Sequence, residues 1–462
     1  MSQNKKQINR RARLESLEQI NLDAAGLDIG AAEIWVCVPE DRGEETVRRF
    51  DTFTTDLHTL ADWLSACGIT TVAMESTGVY WIPIYEILEN RGMTVCLVNA
   101  QVTKNVSGRK TDVLDCQWIQ QLHTYGLLAA SFRPPADICV LRSYVRQREG
   151  LLQERSRQIQ HMQKALHLMN LKLTTVITDL TGLTGMQIIR AILDGERNPV
   201  ALARFRDPRC KSSEENIVKA LTGTYRSEHV FALRQAVEGF EFYTQQLATC
   251  DTEIESHYAV FQPQVDLVEQ PLPNTKRRQR PHHPAFDLHT CLYQTIGVDL
   301  TAVDGIDVLL AQDILAEIGT DMSKWKTEKH FASWLGLAPN NRSSAGKVKS
   351  RRTKETSNRA STAFRLAAWS ASRTKTPIAI FYQRIKAKHG APVAITATAH
   401  KIARIVYYML KNRTPFADSG VEAYREQQRQ RSLRSLQRLA KTLGFQIVPN
   451  TCLLYTSPSP RD

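Results

Sequence analysis

The sequence predicts a mixed α/β domain followed by a longer, mostly helical remainder. Three observations carry that prediction. Residues 24–135 alternate short apolar, β-branched runs with amphipathic helical stretches. From about residue 138 the apolar side chains recur at heptad spacing, as at Val145, Leu152, Ile159 and Leu166. An apolar content of 42% is ample for packed cores and excludes disorder as the main state. A chain of 462 residues then suggests roughly three domains.

The α/β part reads in order. AAGLDIGAAEIWVCVPE gives two strands joined by a tight turn at Gly30, and VRRFDTF gives a third. DLHTLADWLSAC is a helix with apolar residues at 57, 60, 61 and 64. ITTVAME is a buried strand, VYWIPIYEILENRG a helix stopped at Gly92, MTVCLVN a strand and DVLDCQWIQQLHTYGLL a helix. Three opening strands followed by alternating α and β units match an RNase H-like domain over 22–135, ended by Pro134-Pro135.

The helical remainder begins with a region over 136–262. Leu141, Met162 and Met169 form a second seam beside the heptad positions, and Arg148 and Arg155 interrupt it. A coiled-coil-like helix and one member of an intramolecular bundle are both compatible with that pattern. A second long helix is expected over 227–261. Residues 263–294, rich in Pro and cations, read as a linker, and 295–415 as a further, mostly helical domain. A polar helical tail covers 416–451, with its Gln/Arg-rich helix at 422–442. The final CLLYTSPSPRD, 452–462, resembles a translated adapter and is left out of fold reasoning.

Sixty Lys and Arg against 47 Asp and Glu leave a formal charge of +13, which favours a polyanionic partner such as nucleic acid. The basic tail at 1–20 is followed by no apolar core, so no signal peptide is expected there. No apolar run reaches the ~18 residues a bilayer span requires. A soluble, cytoplasmic protein with no membrane partner is the expectation. Nine cysteines without a C-x-x-C pair read as reduced core residues, not as a zinc site or disulfide framework.

Four carboxylates stand out. Asp28 lies inside the first strand, between Leu27 and Ile29, where an unpaired buried charge would cost several kcal/mol. Glu75 ends the strand ITTVAME, and Asp112 and Asp115 share a face at the start of a helix. In an RNase H-like sheet the first and fourth strands are neighbours and the last helix packs beside the first. The four acids then converge at one end, and such oxygen-only ligands suit Mg²⁺. Singly, Asp112 with Thr111 also reads as a helix cap and Asp115 as a first-turn acid.

The C-terminal domain opens with VDGID before an apolar helix, similar to a helix-hairpin-helix, whose glycine (Gly305) lets backbone N–H groups approach a phosphate. Gly305 as a plain loop residue is the competing reading. Beyond Pro339 the chain turns basic, with Arg342, Lys347, Lys349, Arg351, Arg352, Lys354, Arg359, Arg365, Arg373 and Lys375 against the single acid Glu355. Such a field suits phosphate contact.

GLDIGAAEIWV, MESTGVYWIPIYEIL, VNAQVTKNVSGRKTDVLDCQWI and SFRPP resemble the N-terminal domain of the DEDD transposases of bacterial insertion sequences. That family carries a domain similar to the Holliday-junction resolvase RuvC. The resemblance puts the family's four catalytic, metal-binding acids on Asp28, Glu75, Asp112 and Asp115, with Lys110-Thr111-Asp112 repeating the wording at the third acid. Ser76, Thr77, Gly78 and Tyr80 follow the second acid in the family's manner as supporting residues. Gly336-Leu337-Ala338-Pro339 followed by Ser343-Ser344-Ala345-Gly346-Lys347 is similar to the family's C-terminal domain. Its catalytic serine falls on Ser344, with Ser343 the alternative. Both serines also suit a loop turn.

The resemblance implies a DNA transposase that cuts and rejoins DNA at a composite site of Mg²⁺-binding acids and a serine nucleophile. Lys110, Arg342, Lys347, Lys349, Arg351, Arg352, Lys354 and Arg359 are the expected nucleic-acid contacts. It further implies DNA element ends and targets, a structured non-coding guide RNA, and a homo-oligomer, dimer or tetramer. Two alternatives stand: a RuvC-like junction nuclease that hydrolyses with water and needs no serine, and a non-catalytic nucleic-acid-binding protein. Neither G-x-G-x-x-G nor a P-loop occurs, so nucleotide-driven chemistry is not expected.

Overall fold

A computed structural model of the chain describes residues 17–76, 78–99, 112–272, 282–344, 347–350, 352–356, 358–418 and 420–447. They fall into two compact units, Met1–Arg133 and Pro134–Asp462. Among the described residues no helix is long and apolar enough to cross a membrane. The eight described cysteines are all free thiols, five of them buried.

The first unit runs β1 (Ala24–Ile29), β2 (Glu33–Cys37), β3 (Val47–Asp51), α1 (Thr54–Ala66), β4 (Thr71–Glu75), α2 (Trp81–Asn90), β5 (Thr94–Val98) and α3 (Asp112–Thr124). The sheet order is β3-β2-β1-β4-β5. The opening meander is antiparallel, whereas β4 pairs parallel with β1 and β5 parallel with β4. This is the mixed α/β, RNase H-like arrangement that the order of elements predicts, with the first and fourth strands side by side.

Burial explains the layers. Leu27, Ile34, Val36, Val72 and Met74 point to one face, where Leu57, Leu60 and Leu64 of α1 and Ile84 and Leu88 of α2 complete the core. Ala73, Cys96 and Val98 point to the other, against Ile119 of α3. Helices cover both faces, as the parallel half of the sheet, β1-β4-β5, requires. Arg48 and Arg49 of the edge strand β3 are exposed, and such charges discourage pairing with another chain.

In the second unit the heptad-bearing segment is one 33-residue helix, α4 (Ala136–Leu168). The short helices α5 (Leu173–Val176), α6 (Leu183–Leu193), α7 (Pro199–Ala203) and α8 (Glu214–Leu221) follow, then the long α9 (Ser227–Tyr258). α4 and α9 run antiparallel: His257 donates to the Asp137 carbonyl at 2.8 Å, while far along the pair Gln158 packs on Gly239. The partner of the seam is therefore within the chain. Of the two arginines that interrupt it, Arg148 is buried and paired, its Nε donating to Asp251 at 2.5 Å and its Nη2 to the His282 carbonyl at 3.0 Å, and Arg155 is half-buried. The short helices close a separate core around Met162, Leu166, Ile188, Ile189, Leu221 and Leu233, which the heptad pattern alone did not foretell.

The C-terminal part continues α10 (Leu288–Ile296), α11 (Val308–Ile318), α12 (Glu328–Trp334), β6 (Arg342–Ser344), β7 (Lys347–Ser350), α13 (Arg359–Ala371), α14 (Pro377–His389), α15 (Ala391–Asn412) and α16 (Val421–Thr442). Its core stacks Phe331 between Trp334, Phe364 and Tyr407, whose hydroxyl donates to the Trp325 carbonyl at 2.9 Å. Gly305 precedes α11 at a left-handed φ of +91°. A Cβ there would stand 2.1 Å from the Ala367 carbonyl oxygen, so the close approach that this glycine permits is to the backbone of α13.

Candidate catalytic site

Asp28 is half-buried near the end of β1, a strand otherwise fully buried. β1 and β4 run parallel with Leu27 opposite Met74, so the next step along each strand brings Asp28 level with Glu75. Leu27 and Met74 belong to the core beneath α1 and α2. By strand alternation Asp28 and Glu75 therefore face the other side, the α3 side. Glu75 in turn pairs with Val98 of β5, and the Ser76 amide donates to the Val98 carbonyl at 2.9 Å. Two carboxylates thus sit at the carboxyl ends of adjacent parallel strands, where open α/β sheets hold their ligands.

The direction of α3 follows from three contacts. The Gln120 side chain donates to the Ala24 carbonyl, and the Ile20 and Asn21 amides donate to the Thr124 carbonyl. A Cβ on Gly26 would stand 2.2 Å from the Gln120 nitrogen and 2.5 Å from the Cys116 oxygen. The last turn of α3 therefore lies over the start of β1, and its first turn points towards the Asp28 end. Asp115, half-buried, belongs to that first turn, next to Cys116. Gly26 is what allows the helix backbone so near the strand.

Burial pushes the Cys37 thiol up to about 12, with Glu40 adding to it. Cys116 is pushed up as well, by burial first and then by Cys37 and the Asp28 carboxylate. Trp35, opposite Asp28 on β2, has a buried indole N–H without a hydrogen-bond partner among the described residues. Sequence reasoning passed over this residue. Its only signal was a tryptophan alternating with core residues in IWVCV.

Among the described residues, no three His, Cys, Asp or Glu side chains stand together as a metal-binding group. The side chain of Asp112 and the whole of Lys110, Thr111 and Thr77 lie outside them. The donor chemistry of Asp28, Glu75 and Asp115 nevertheless fits a hard divalent cation, being carboxylate only.

In the second unit, Gly336 adopts a left-handed φ of +67° just after α12 and packs against the Lys354 carbonyl and Thr356. Leu337 is buried and Pro339 bridges to Thr353, so the G-L-A-P segment turns the chain out of a helix into a β ladder. That ladder is a small antiparallel hairpin, a local exception to the expected helical domain. Ser343 and Ser344 lie on β6, and Ser344 is the residue paired with Lys347 on β7. Directly paired residues share a face, which places a cationic side chain next to the Ser344 hydroxyl. Arg352 is exposed in the segment that follows. Arg359 bonds Glu149 of α4 at 2.5 Å. Arg351 and the side chain of Arg342 lie outside the described residues.

A family model described as a transposase, DEDD_Tnp_IS110, matches residues 25–170. A second, described as the transposase IS116/IS110/IS902 family, matches residues 299–383. The two matches together span half of the chain and take in both regions just described. No curated protein matches the chain.

Proposed function

Because the chain belongs to the IS110 family of DEDD transposases, enzymes acting on DNA, we propose that it cuts and rejoins the DNA of an insertion sequence with Asp28, Glu75, Asp112 and Asp115 as Mg²⁺-binding acids and Ser344 as nucleophile. The observation that supports this reading best is the placing of Asp28 and Glu75 level with each other on β1 and β4, with the first turn of α3 directed towards them.

Two carboxylates so close repel each other, and a divalent cation is the partner that turns this repulsion into binding. When bound, Mg²⁺ would neutralise charge on the scissile phosphate and orient its oxygens. The chain's own residues do the rest. Ser344 Oγ bonds to phosphorus as the bond from phosphorus to the leaving deoxyribose oxygen breaks. The serine proton passes to water, and the leaving oxygen takes one up. Lys347, across the ladder, holds the phosphate against the serine and offsets the charge that builds on its oxygens. Lys349, Arg352 and Lys354, with Lys110, Arg342, Arg351 and Arg359 beyond them, hold the flanking backbone. The same reading takes the family's guide RNA and a dimer or tetramer as partners, and the nucleoid-bearing cytoplasm as the place of action.

The test is strand cleavage of DNA carrying the element ends, with and without Mg²⁺, read beside the covalent protein–DNA adduct on a denaturing gel. Ser344→Ala is expected to lose both the adduct and the cleavage while Ser343→Ala keeps them. Cleavage that survives in Ser344→Ala without an adduct would return the chain to a water-using junction nuclease.

A further inference from the structure

α13 buries one side completely, through Ala360, Ser361, Ala363, Phe364, Ala367, Ala368 and Ala371. On its other side Leu366 is 55% exposed and Trp369 49% exposed. Arg365 and Trp369 are four apart and so lie along one line of the helix, and Arg373 follows in the turn just past its last residue, Ala371. The Arg373 guanidinium sits 5.0 Å from the centre of the Trp369 ring. The sequence holds no acidic residue between Glu355 and Asp418. Among the described residues the acid that bonds this helix is Glu149, which meets Arg359 at the opposite end.

We propose that the exposed face of α13, with the turn that follows it, is a stacking platform for an unpaired base of single-stranded DNA, with Trp369 as the platform and Arg365 and Arg373 as its phosphate contacts. This rests on the DNA-cutting function proposed above and adds the form of DNA that is held. A duplex keeps its base faces covered by neighbouring bases, so an exposed indole gains little from it beyond the charge of nearby arginines. An unpaired base offers a free π-face, which every base has, and the flanking arginines offset the phosphates on either side. Exchange of a cut strand from one duplex to another separates bases that were paired, and such DNA is the occupant whose charge and aromatic faces complement this helix.

The experiment uses the full chain in EDTA, so that nothing is cut, and fluorescein-labelled 12-mers in three forms: single-stranded DNA, the same DNA as a duplex, and RNA of the same sequence. Trp369→Ala is expected to weaken single-stranded DNA about tenfold or more while changing duplex binding less than about twofold, and Trp369→Phe is expected to keep most of the affinity. Far-UV circular dichroism and the melting temperature check that the variants are folded. Equal losses on single strand and duplex, an equal loss in Trp369→Phe, or a loss confined to RNA would each overturn the platform. A wild-type chain that binds both DNA forms but ignores Trp369→Ala sinks this inference alone. A wild-type chain that binds no DNA sinks the proposed function with it.

Discussion

The carboxyl end of the sheet and the hairpin with its neighbouring helix carry opposite charges in opposite settings. Asp28 stands half-buried on a strand with helices packed over both faces of its sheet, and its position is set by strand register and by α3. Lys347, Lys349, Arg352 and Lys354 belong to a two-stranded ladder and the segment after it. Positioning a metal and a phosphate demands a rigid frame, because small displacements there are expensive. Holding a phosphate backbone demands charge within reach, which long solvated side chains supply without fine placement. Loss of one group should therefore be abrupt in the first region and graded in the second.

That contrast is broken most directly at Asp28. Asp28→Asn or Glu75→Gln is expected to lower strand cleavage about 100-fold or more, since a ligand charge is lost and the phosphate is misplaced. DNA binding should be nearly unchanged. Cleavage at the wild-type rate in either variant, or in wild type with EDTA, would remove the acids from the chemistry.

A smaller effect should come from the basic region. Neutralising Lys349, Arg352 and Lys354 to Gln together should weaken duplex binding and reduce its salt slope by about 0.9 log unit for each phosphate that no longer meets a cation. Single changes should each give a fraction of this. If one of the three accounts for the whole effect, that residue is held as precisely placed machinery and the contrast between the regions fails.

The smallest effect sharpens the first region from its far end. His123, in the last turn of α3, is buried, and its ring nitrogen meets the Thr71 hydroxyl at 2.9 Å. Burial holds its pKa below the ordinary 6.5. The unfolded chain then binds more protons, so the neutral ring contributes stability fully above pH 6.5 that is lost as pH falls below it. Melting of the full chain between pH 7.5 and 5 should show a decline that His123→Gln flattens. An identical decline in both chains would show that the ring does not carry it.

Much of this was legible along the chain. Asp28 and Glu75 could be read as strand-borne acids because each interrupts or ends an apolar β run. The break at Arg148 was equally plain, but its partner Asp251 lies 103 residues away and no local pattern names it. The β6–β7 hairpin was hidden because RSS and KVKS hold one apolar residue between them, too little for an alternating signal. Trp35 was hidden for the opposite reason, since it looks like one more core aromatic.

By itself, then, the sequence determined the strands and helices of the first unit, the two long helices that follow and the charge of each region, since alternation, heptad spacing and net charge are properties of neighbouring residues. The tertiary structure decided which of those residues meet. The parallel pairing of β1 with β4 joins segments 47 residues apart and turns two separate acids into neighbours. The missing side chain of Gly26 lets α3 settle on β1 with its first turn towards them. Electrostatic interaction falls off with distance in space, and distance in space follows from sheet register and helix packing, which only the folded chain supplies.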